Sequence, residues 1–453
     1  YSARQPEPLP PDGVTFLTMD PSTTELMTVN ASFECRYLTT LGMPYDMMTT
    51  RFHEGWGDWT FRPAALLKQE AATMLANGAL VNIGDQFYPE GAGDPATYDL
   101  IGEVFQFVAE REQYCVGTQS VPHIAVLHSA STHFWRAGAN VHAAGALDTI
   151  RGAHKTLVES GLHFDIFNEH GLLPRLREYR AVILPDQQCL SDEVVAALGD
   201  YVSRGGALLC TYLTGWRDEK GRVRSQPALA NLLGIEYQGS SIYSVAYLKP
   251  NVEELWRGIP RSPICVKGPS VNCRARAAQQ LAALLHPRTE QTEQRFVSWR
   301  QPPAGGDSGF AGISLNRVGK GTAAFIAAEV FAAYWQREYA PLRHLVANLL
   351  DYCVGERPLQ AEAPPAVEVS LRWRGDELFL HLVNGYGEKR VAGFPATESV
   401  PLVPEVRVRL RCQTPVREVT HLPEGTALPY EHSDGWLSFT VPSLHVHAVI
   451  RVR

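Results

Sequence analysis

Residues 45–62, Tyr-Asp-Met-Met-Thr-Thr-Arg-Phe-His-Glu-Gly-Trp-Gly-Asp-Trp-Thr-Phe-Arg, place a charged and aromatic cluster directly after a short apolar stretch. This is the layout of a strand that empties into a ligand-binding loop. Arg51, His53, Glu54, Trp56, Asp58 and Trp59 in such close succession would be costly to bury unpaired, whereas a strand fills its surface with β-branched or apolar side chains. Sugar sites need this mixture. Indole rings stack on the apolar C–H face of a pyranose, while carboxylates, His and Arg bond its hydroxyls and move protons. A further carboxylate, Asp85, with Gln86 beside it, follows the apolar run 79–84, and Asp20 follows the run 14–19. Glu54 and Asp85 are the candidate acid/base pair, because adjacent strand ends of a parallel sheet bring two carboxyl groups within several ångströms and can drive their pKa values apart. Arg51, His53, Trp56, Asp58, Trp59, Gln86 and Asp20 are the candidate sugar contacts. Each has a plainer reading. Asp58 or Asp85 can cap a helix or bind Arg51, His53 can bond a neighbouring carboxylate, and the segment can be a Gly-punctuated loop with structural tryptophans.

The elements that position these residues read as strand–helix repeats. Strands at 14–19, 45–50 and 79–84 alternate with helices at 33–41, 63–77 (opening with Pro63 and closed by Gly78) and 98–112. That alternation predicts a parallel sheet with outer helices, and its polar residues sit at the carboxyl ends of the strands, where such folds place their sites. A second series follows Val121-Pro122, with strands at 124–128, 164–167, 179–184 and 207–212. Its helices span 143–160 and 191–204, with a helical turn at 172–176, Ser191 as N-cap and Gly205-Gly206 as the stop. This is the rhythm of a doubly wound, flavodoxin-like sheet, completed by a strand at 321–328 and a helix at 340–352; the less periodic stretch 217–300 reads as an insertion. Past Gly355, runs at 367–373, 377–382, 406–410, 416–422, 436–441 and 446–452 largely alternate apolar and polar residues. They predict an antiparallel β-sandwich, with a hairpin turn at Arg374-Gly375-Asp376.

Bulk properties narrow the function. With 453 residues the chain suits about three domains of ~150 residues. A composition of 45% hydrophobic and 20% charged residues is that of a globular protein, and no apolar run approaches the ~20 residues that span a bilayer. The net charge of −7, with no long basic run, argues against nucleic acid and fits a neutral substrate. Eight cysteines lack metal-ligand spacing, and Cys210 and Cys353 sit inside apolar patterns as small hydrophobes, so a reducing cytoplasm is expected. His123, His128, His133 and His142 lack the i, i+4 spacing of a helical metal site and read as structural or surface residues. No metal or organic cofactor is expected. The start at Tyr1, with a Pro-rich stretch and no signal-peptide pattern, reads as a fragment or a processed product.

Three passages resemble a glycoside hydrolase related to the β-galactosidases that carry a trimerisation domain, and more narrowly the α-L-fucosidase-like hydrolases. The first is Leu41-Gly-Met-Pro-Tyr-Asp-Met-Met-Thr-Thr-Arg-Phe-His-Glu-Gly-Trp-Gly-Asp-Trp59, with Leu75-Ala-Asn-Gly-Ala79 and Ile83-Gly-Asp-Gln-Phe-Tyr-Pro89. The second comprises Ala181-Val-Ile-Leu-Pro-Asp186, residues 201–215 and Leu232-Leu-Gly-Ile-Glu-Tyr237; the third is Leu380-His-Leu-Val-Asn384. The resemblance implies that residues 1–118 are the C-terminal part of a TIM-barrel-like glycosidase domain, with the earlier units absent from this sequence. It makes 119–356 a flavodoxin-like trimerisation-type domain and 357–453 a β-sandwich, and it implies a homo-oligomer, a trimer. It also places the clan's seventh-strand nucleophile at or near Thr49, which is no carboxylate, so a pair of catalytic carboxyl groups has to come from elsewhere. Two further readings stay open: a non-catalytic carbohydrate-binding or oligomerisation scaffold, and a thiol enzyme. The second domain resembles the class I glutamine amidotransferases, with Cys210 near their nucleophile, in a context without the small residues of an elbow.

Overall fold

The computed structural model describes every residue except 1, 7–9, 11, 21–26, 54, 139, 141, 142, 144, 289–300 and 388–396, so Glu54 and His142 lie outside the described residues. Strands β1 (Leu17–Met19), β2 (Tyr45–Thr50) and β3 (Leu80–Gly84) form a parallel sheet in the order β1-β2-β3. Parallel neighbours need crossovers, which contain α1 (Met27–Leu38) and α2 (Ala64–Ala76); α3 (Pro95–Ala109) follows β3. Period-two alternation sorts β2: Tyr45 and Met47 join the core with Phe33, Tyr37 and Leu38 of α1, while Asp46 and Met48 remain half-buried on the other face. Helix α1 starts six residues before the expected Phe33. Its first turns hold Thr, Val, Asn and Ser, poor helix formers in isolation, and the burial of Ala31 and Ser32 overrides that propensity. The end is legible: a 3-10 turn over Thr39–Leu41 stops at Gly42, whose φ of 71° lies in the left-handed region that favours glycine.

Strand β4 (Gln119–Ser120) leads into β5 (Ile124–Leu127), β6 (Phe164–Phe167), β7 (Ala181–Leu184) and β8 (Ala207–Thr211). The last four run parallel with Gly321–Ile326 in the spatial order 321–326, β8, β7, β5, β6, which is the 2-1-3-4-5 order of flavodoxin-like sheets. Every residue of β5 to β8 is buried, as a sheet covered on both faces requires. Ser191 caps its helix as expected, accepting from the Val194 N–H. The helix expected at 143–160 begins only at Asp148, after Gly145 (φ 78°). The stretch read as an insertion contributes Ile235–Ser240 and Val271–Ala275 to a separate two-stranded sheet, and it also sends strands into the main one: Ala246–Pro250, Ile264–Val266 and Gln279–Pro287, joined by Ala304–Val318 just after it, extend the main sheet antiparallel to nine strands. Repeated register shifts between the last two break the alternation that would have revealed them.

After the helix Ala340–Val354, a four-stranded and a six-stranded antiparallel sheet share one core, in which Val406, Val408 and Phe439 meet Val369, Leu380 and Ile450. Strand β4 adds to the edge of the six-stranded sheet through Trp373↔Gln119. A buried polar network ties the sheets together. Arg36 of α1 donates to Glu368 (2.8 Å), to the Val369 carbonyl (3.1 Å) and to the Phe164 carbonyl of β6 (2.6 Å). Ser32 and Asn77 also donate to Glu368, at 2.8 and 3.2 Å.

Five buried histidines set an acid limit on this packing. Burial pulls His123 down to about 4 and His128 and His381 down to about 3, and it also lowers His163 and His447. His381 Nδ1 and His447 Nε2 lie 3.2 Å apart, a contact that needs one neutral ring. The unfolded chain binds protons below the ordinary value of about 6.5 and the folded chain does not, so stability falls as pH drops from about 6.5 toward 4, by ~1.4 kcal/mol per group per pH unit. Urea unfolding is expected to show a midpoint several-fold lower at pH 5 than at pH 7.5, and equal midpoints would contradict the buried neutral assignment.

Candidate active site

Because β2 and β3 run parallel, both release their chains at the same end. The Arg51 N–H donates to the Gly84 carbonyl at 3.2 Å, and the chain then leaves and returns until the Arg62 N–H donates to the Arg51 carbonyl at 2.8 Å. Ends this close make residues 51–62 an Ω-loop. Its interior is organised by Asp58, whose carboxylate accepts from the Gly55 N–H (3.0 Å), the Thr60 N–H (2.8 Å) and the Thr60 hydroxyl (2.6 Å). The His53 N–H in turn donates to Thr60 Oγ1 at 2.9 Å. Asp58 therefore shapes the loop.

Two fully buried arginines anchor it. Arg51 donates from Nε to Asp85 Oδ1 at 2.7 Å and from Nη1 to the Thr60 carbonyl at 2.9 Å, and its guanidinium lies 4.2 Å over the Phe52 ring. Arg62 donates from Nη1 to Glu70 of α2 and to Thr49 Oγ1, both at 2.9 Å, while Thr49 donates to Glu70 at 2.5 Å. Thr49, at the position where the resemblance puts a nucleophile, thus faces α2.

On this base stands a wall of exposed rings: Trp56 (54% exposed), Trp59 (40%), Phe61, Phe87 and Tyr88. Trp59 stacks on Tyr88 with centroids 5.1 Å apart, and Phe52 meets Trp56 and Trp59 edge-on. Trp56 rests against Gly84, where a Cβ would come within 2.6 Å of the indole, and Gly57 (φ 81°) packs on the Gln86 amide. The loop therefore leans over the end of β3. Asp85 Oδ2 is buried and has no hydrogen-bond partner among the described residues. Arg51, Trp56, Trp59, Asp85 and Gln86 are thus brought together, with half-buried His53 on the same loop. Exposed Asp20 follows β1, two strand spacings or about 10 Å from β3, with no bond to the loop among the described residues. Phe61, Phe87 and Tyr88 escaped the sequence reading, although Phe87-Tyr88 directly follows Asp85-Gln86.

Replacing Arg51 leaves a buried carboxylate unpaired. Arg51→Met is expected to lower the unfolding free energy by about 3 kcal/mol, and adding Asp85→Leu to recover most of it, because an apolar pair can replace a buried ion pair. Urea denaturation of the two variants reads this, and a parent-like Arg51→Met would contradict the anchoring role.

The other candidate chemistry is not assembled. Cys210 lies in regular strand β8, in register with Leu184 and Phe325, and burial pushes its thiol up, away from the thiolate a nucleophile needs. The left-handed residue is Tyr212 (φ 50°), two positions on. All eight cysteines are unpaired. Among the described residues no group of three or more His, Cys, Asp or Glu is placed to hold a metal ion, and no helix is long and apolar enough to cross a membrane.

Comparisons with known proteins agree with this architecture. An α-L-fucosidase isoenzyme from Paenibacillus thiaminolyticus superposes with a TM-score of 0.85 at 25% identity, covering 97% of this chain and 65% of that one. A β-galactosidase from Bacillus circulans gives 0.67 at 15% identity, covering 97% and 60%, and one from G. stearothermophilus gives 0.64 at 16%, covering 96% and 58%. The chain thus spans less than two thirds of each of these proteins. No curated protein matches it. The family model described as "Beta-galactosidase trimerisation domain" matches residues 123–353, just over half of the chain, and the chain belongs to that family.

Proposed function

We propose that this chain is part of a glycoside hydrolase acting on a neutral sugar glycoside, of the β-galactosidase or α-L-fucosidase kind. In this reading residues 1–118 are a portion of a (β/α) barrel that carries the site, 119–356 an assembly domain that makes a homotrimer, and 357–453 a supporting sandwich. The observation that carries it is the Asp85 carboxylate, with one oxygen unpartnered among the described residues, set against Trp56 and Trp59 at the carboxyl ends of parallel strands. Such rings take the apolar face of a pyranose and such an oxygen takes a hydroxyl. Hydrolysis needs two carboxyl groups about the scissile bond. Asp85, held by Arg51 as an acceptor, suits the base or nucleophile, and Glu54, on the same loop, takes the acid role. The eight unpaired thiols are what a reducing cytoplasm maintains. A second reading, a non-catalytic carbohydrate-binding scaffold, is favoured by the use of Asp58 within its own loop and by Thr49 facing α2.

Asp85→Asn and Glu54→Gln are each expected to reduce cleavage of nitrophenyl β-galactoside or α-L-fucoside by at least about 100-fold, Glu54→Gln with melting temperature unchanged and Asp85→Asn with a lower one because Arg51 loses its counter-charge. Full activity in both variants removes the assignment, and a parent that binds these sugars through Trp59 without cleaving any of them supports the scaffold.

A further inference from the structure

A cleft of about 890 Å³ opens where the first sheet, the nine-stranded sheet and the terminal sandwich meet. It touches the amino-terminal ends of β2 and β3 at Tyr45 and Leu80, so it lies at the far end of the strands from loop 51–62, about 17 Å away along six-residue β2. Two buried charges line it. Arg372 donates from Nε to Thr118 Oγ1 (2.7 Å) and from Nη2 to the Thr118 carbonyl (2.7 Å) and Thr39 Oγ1 (3.1 Å), all neutral acceptors. Among the described residues it forms no ion pair, and Nη1 makes no hydrogen bond. Asp165 accepts from the Tyr179 hydroxyl at 2.8 Å, has the Ser120 hydroxyl as a second neutral partner, and likewise has no ion pair among the described residues. Both residues are 2% exposed.

Buried charges are ordinarily paired, yet these two border one cavity and attract each other only at longer range, without a direct ion pair. A guanidinium donor and a carboxylate acceptor lining the same space complement a ligand that offers acceptors and donors with no net charge, which is the chemistry of sugar hydroxyls. Burial pushes the Asp165 carboxyl up and pulls the Arg372 guanidinium down, and neutral partners relieve both without adding charge. Trp373, 41% exposed, borders the cleft from the opposite face of the same strand and supplies an apolar plate. The space exceeds one pyranose.

We propose that this cleft is a second saccharide site, taking a neutral oligosaccharide whose hydroxyls bridge Arg372 and Asp165 while a neighbouring unit lies on Trp373. It stands apart from the hydrolase reading, because none of its residues belongs to loop 51–62 or its support. Calorimetric titration of the 453-residue chain with a galactotriose tests it. In a Trp59→Ala background, which silences the loop 51–62 platform, saturable binding with a Kd of about 1 mM is expected, weakened at least about tenfold by Trp373→Ala and by Asp165→Asn with melting temperature unchanged. Should Trp373→Ala fail to fold, the isosteric Asp165→Asn decides alone. No saturation by about 10 mM, a loss caused by Trp59→Ala alone, or displacement by equimolar sodium acetate, marking an anion site at Arg372, each overturns it.

Discussion

Two arginines without access to water hold both ends of one loop. The Arg62 N–H donates to the Arg51 carbonyl, and each guanidinium is neutralised by a carboxylate from a different element: Asp85 after β3 and Glu70 on α2. A guanidinium buried without its partner costs several kcal/mol, so neither arginine can leave while the sheet stands. The consequence is mechanical. The two ends of the loop are fixed at the strand ends by charge, which leaves Trp56, Trp59 and Phe61 facing outward while Phe52 is buried beneath them. The exposure of Trp56 and Trp59 at the end of a well-packed sheet is therefore a property of how the loop is anchored.

The same economy of buried polar contacts recurs between sheets. Arg36 joins α1 to β6 and to the strand carrying Glu368, and Gln69 of α2 donates to the carbonyls of Asn384 and Tyr386 in the sandwich. The first sheet is thus pinned from behind by both following modules, and its strand ends, where chemistry is placed, stay clear of these contacts. A small sheet of three strands gains from such support, since few strands bury little apolar surface on their own.

Much of this was legible in the sequence. The buried strands β5 to β8 read as continuous apolar runs, and Ser191 and Gly205 marked the two ends of one helix through capping chemistry that depends on one residue each. Loop 51–62 stood out because its residue types cannot fill a strand. What stayed hidden depended on distance along the chain. The Arg51–Asp85 pair spans 34 residues and could be named only as one alternative, and the Arg62–Glu70–Thr49 cluster gave no local sign. Asp58 looked like a ligand group because self-capping within a loop has no composition of its own. The strand Ala304–Val318 opens with Ala-Gly-Gly-Asp-Ser-Gly, and its partner's register shifts erased the alternation that exposes most strands.

The account stands or falls on whether loop 51–62 borders a sugar. The most direct measurement is a crystal structure of the protein soaked with hydrolysis-resistant thioglycosides of β-galactose and α-L-fucose. The account predicts a pyranose ring lying on Trp56 or Trp59 with a hydroxyl in hydrogen-bond reach of Asp85 Oδ2. A ligand bound elsewhere at saturating concentration, with this wall bare, would contradict it.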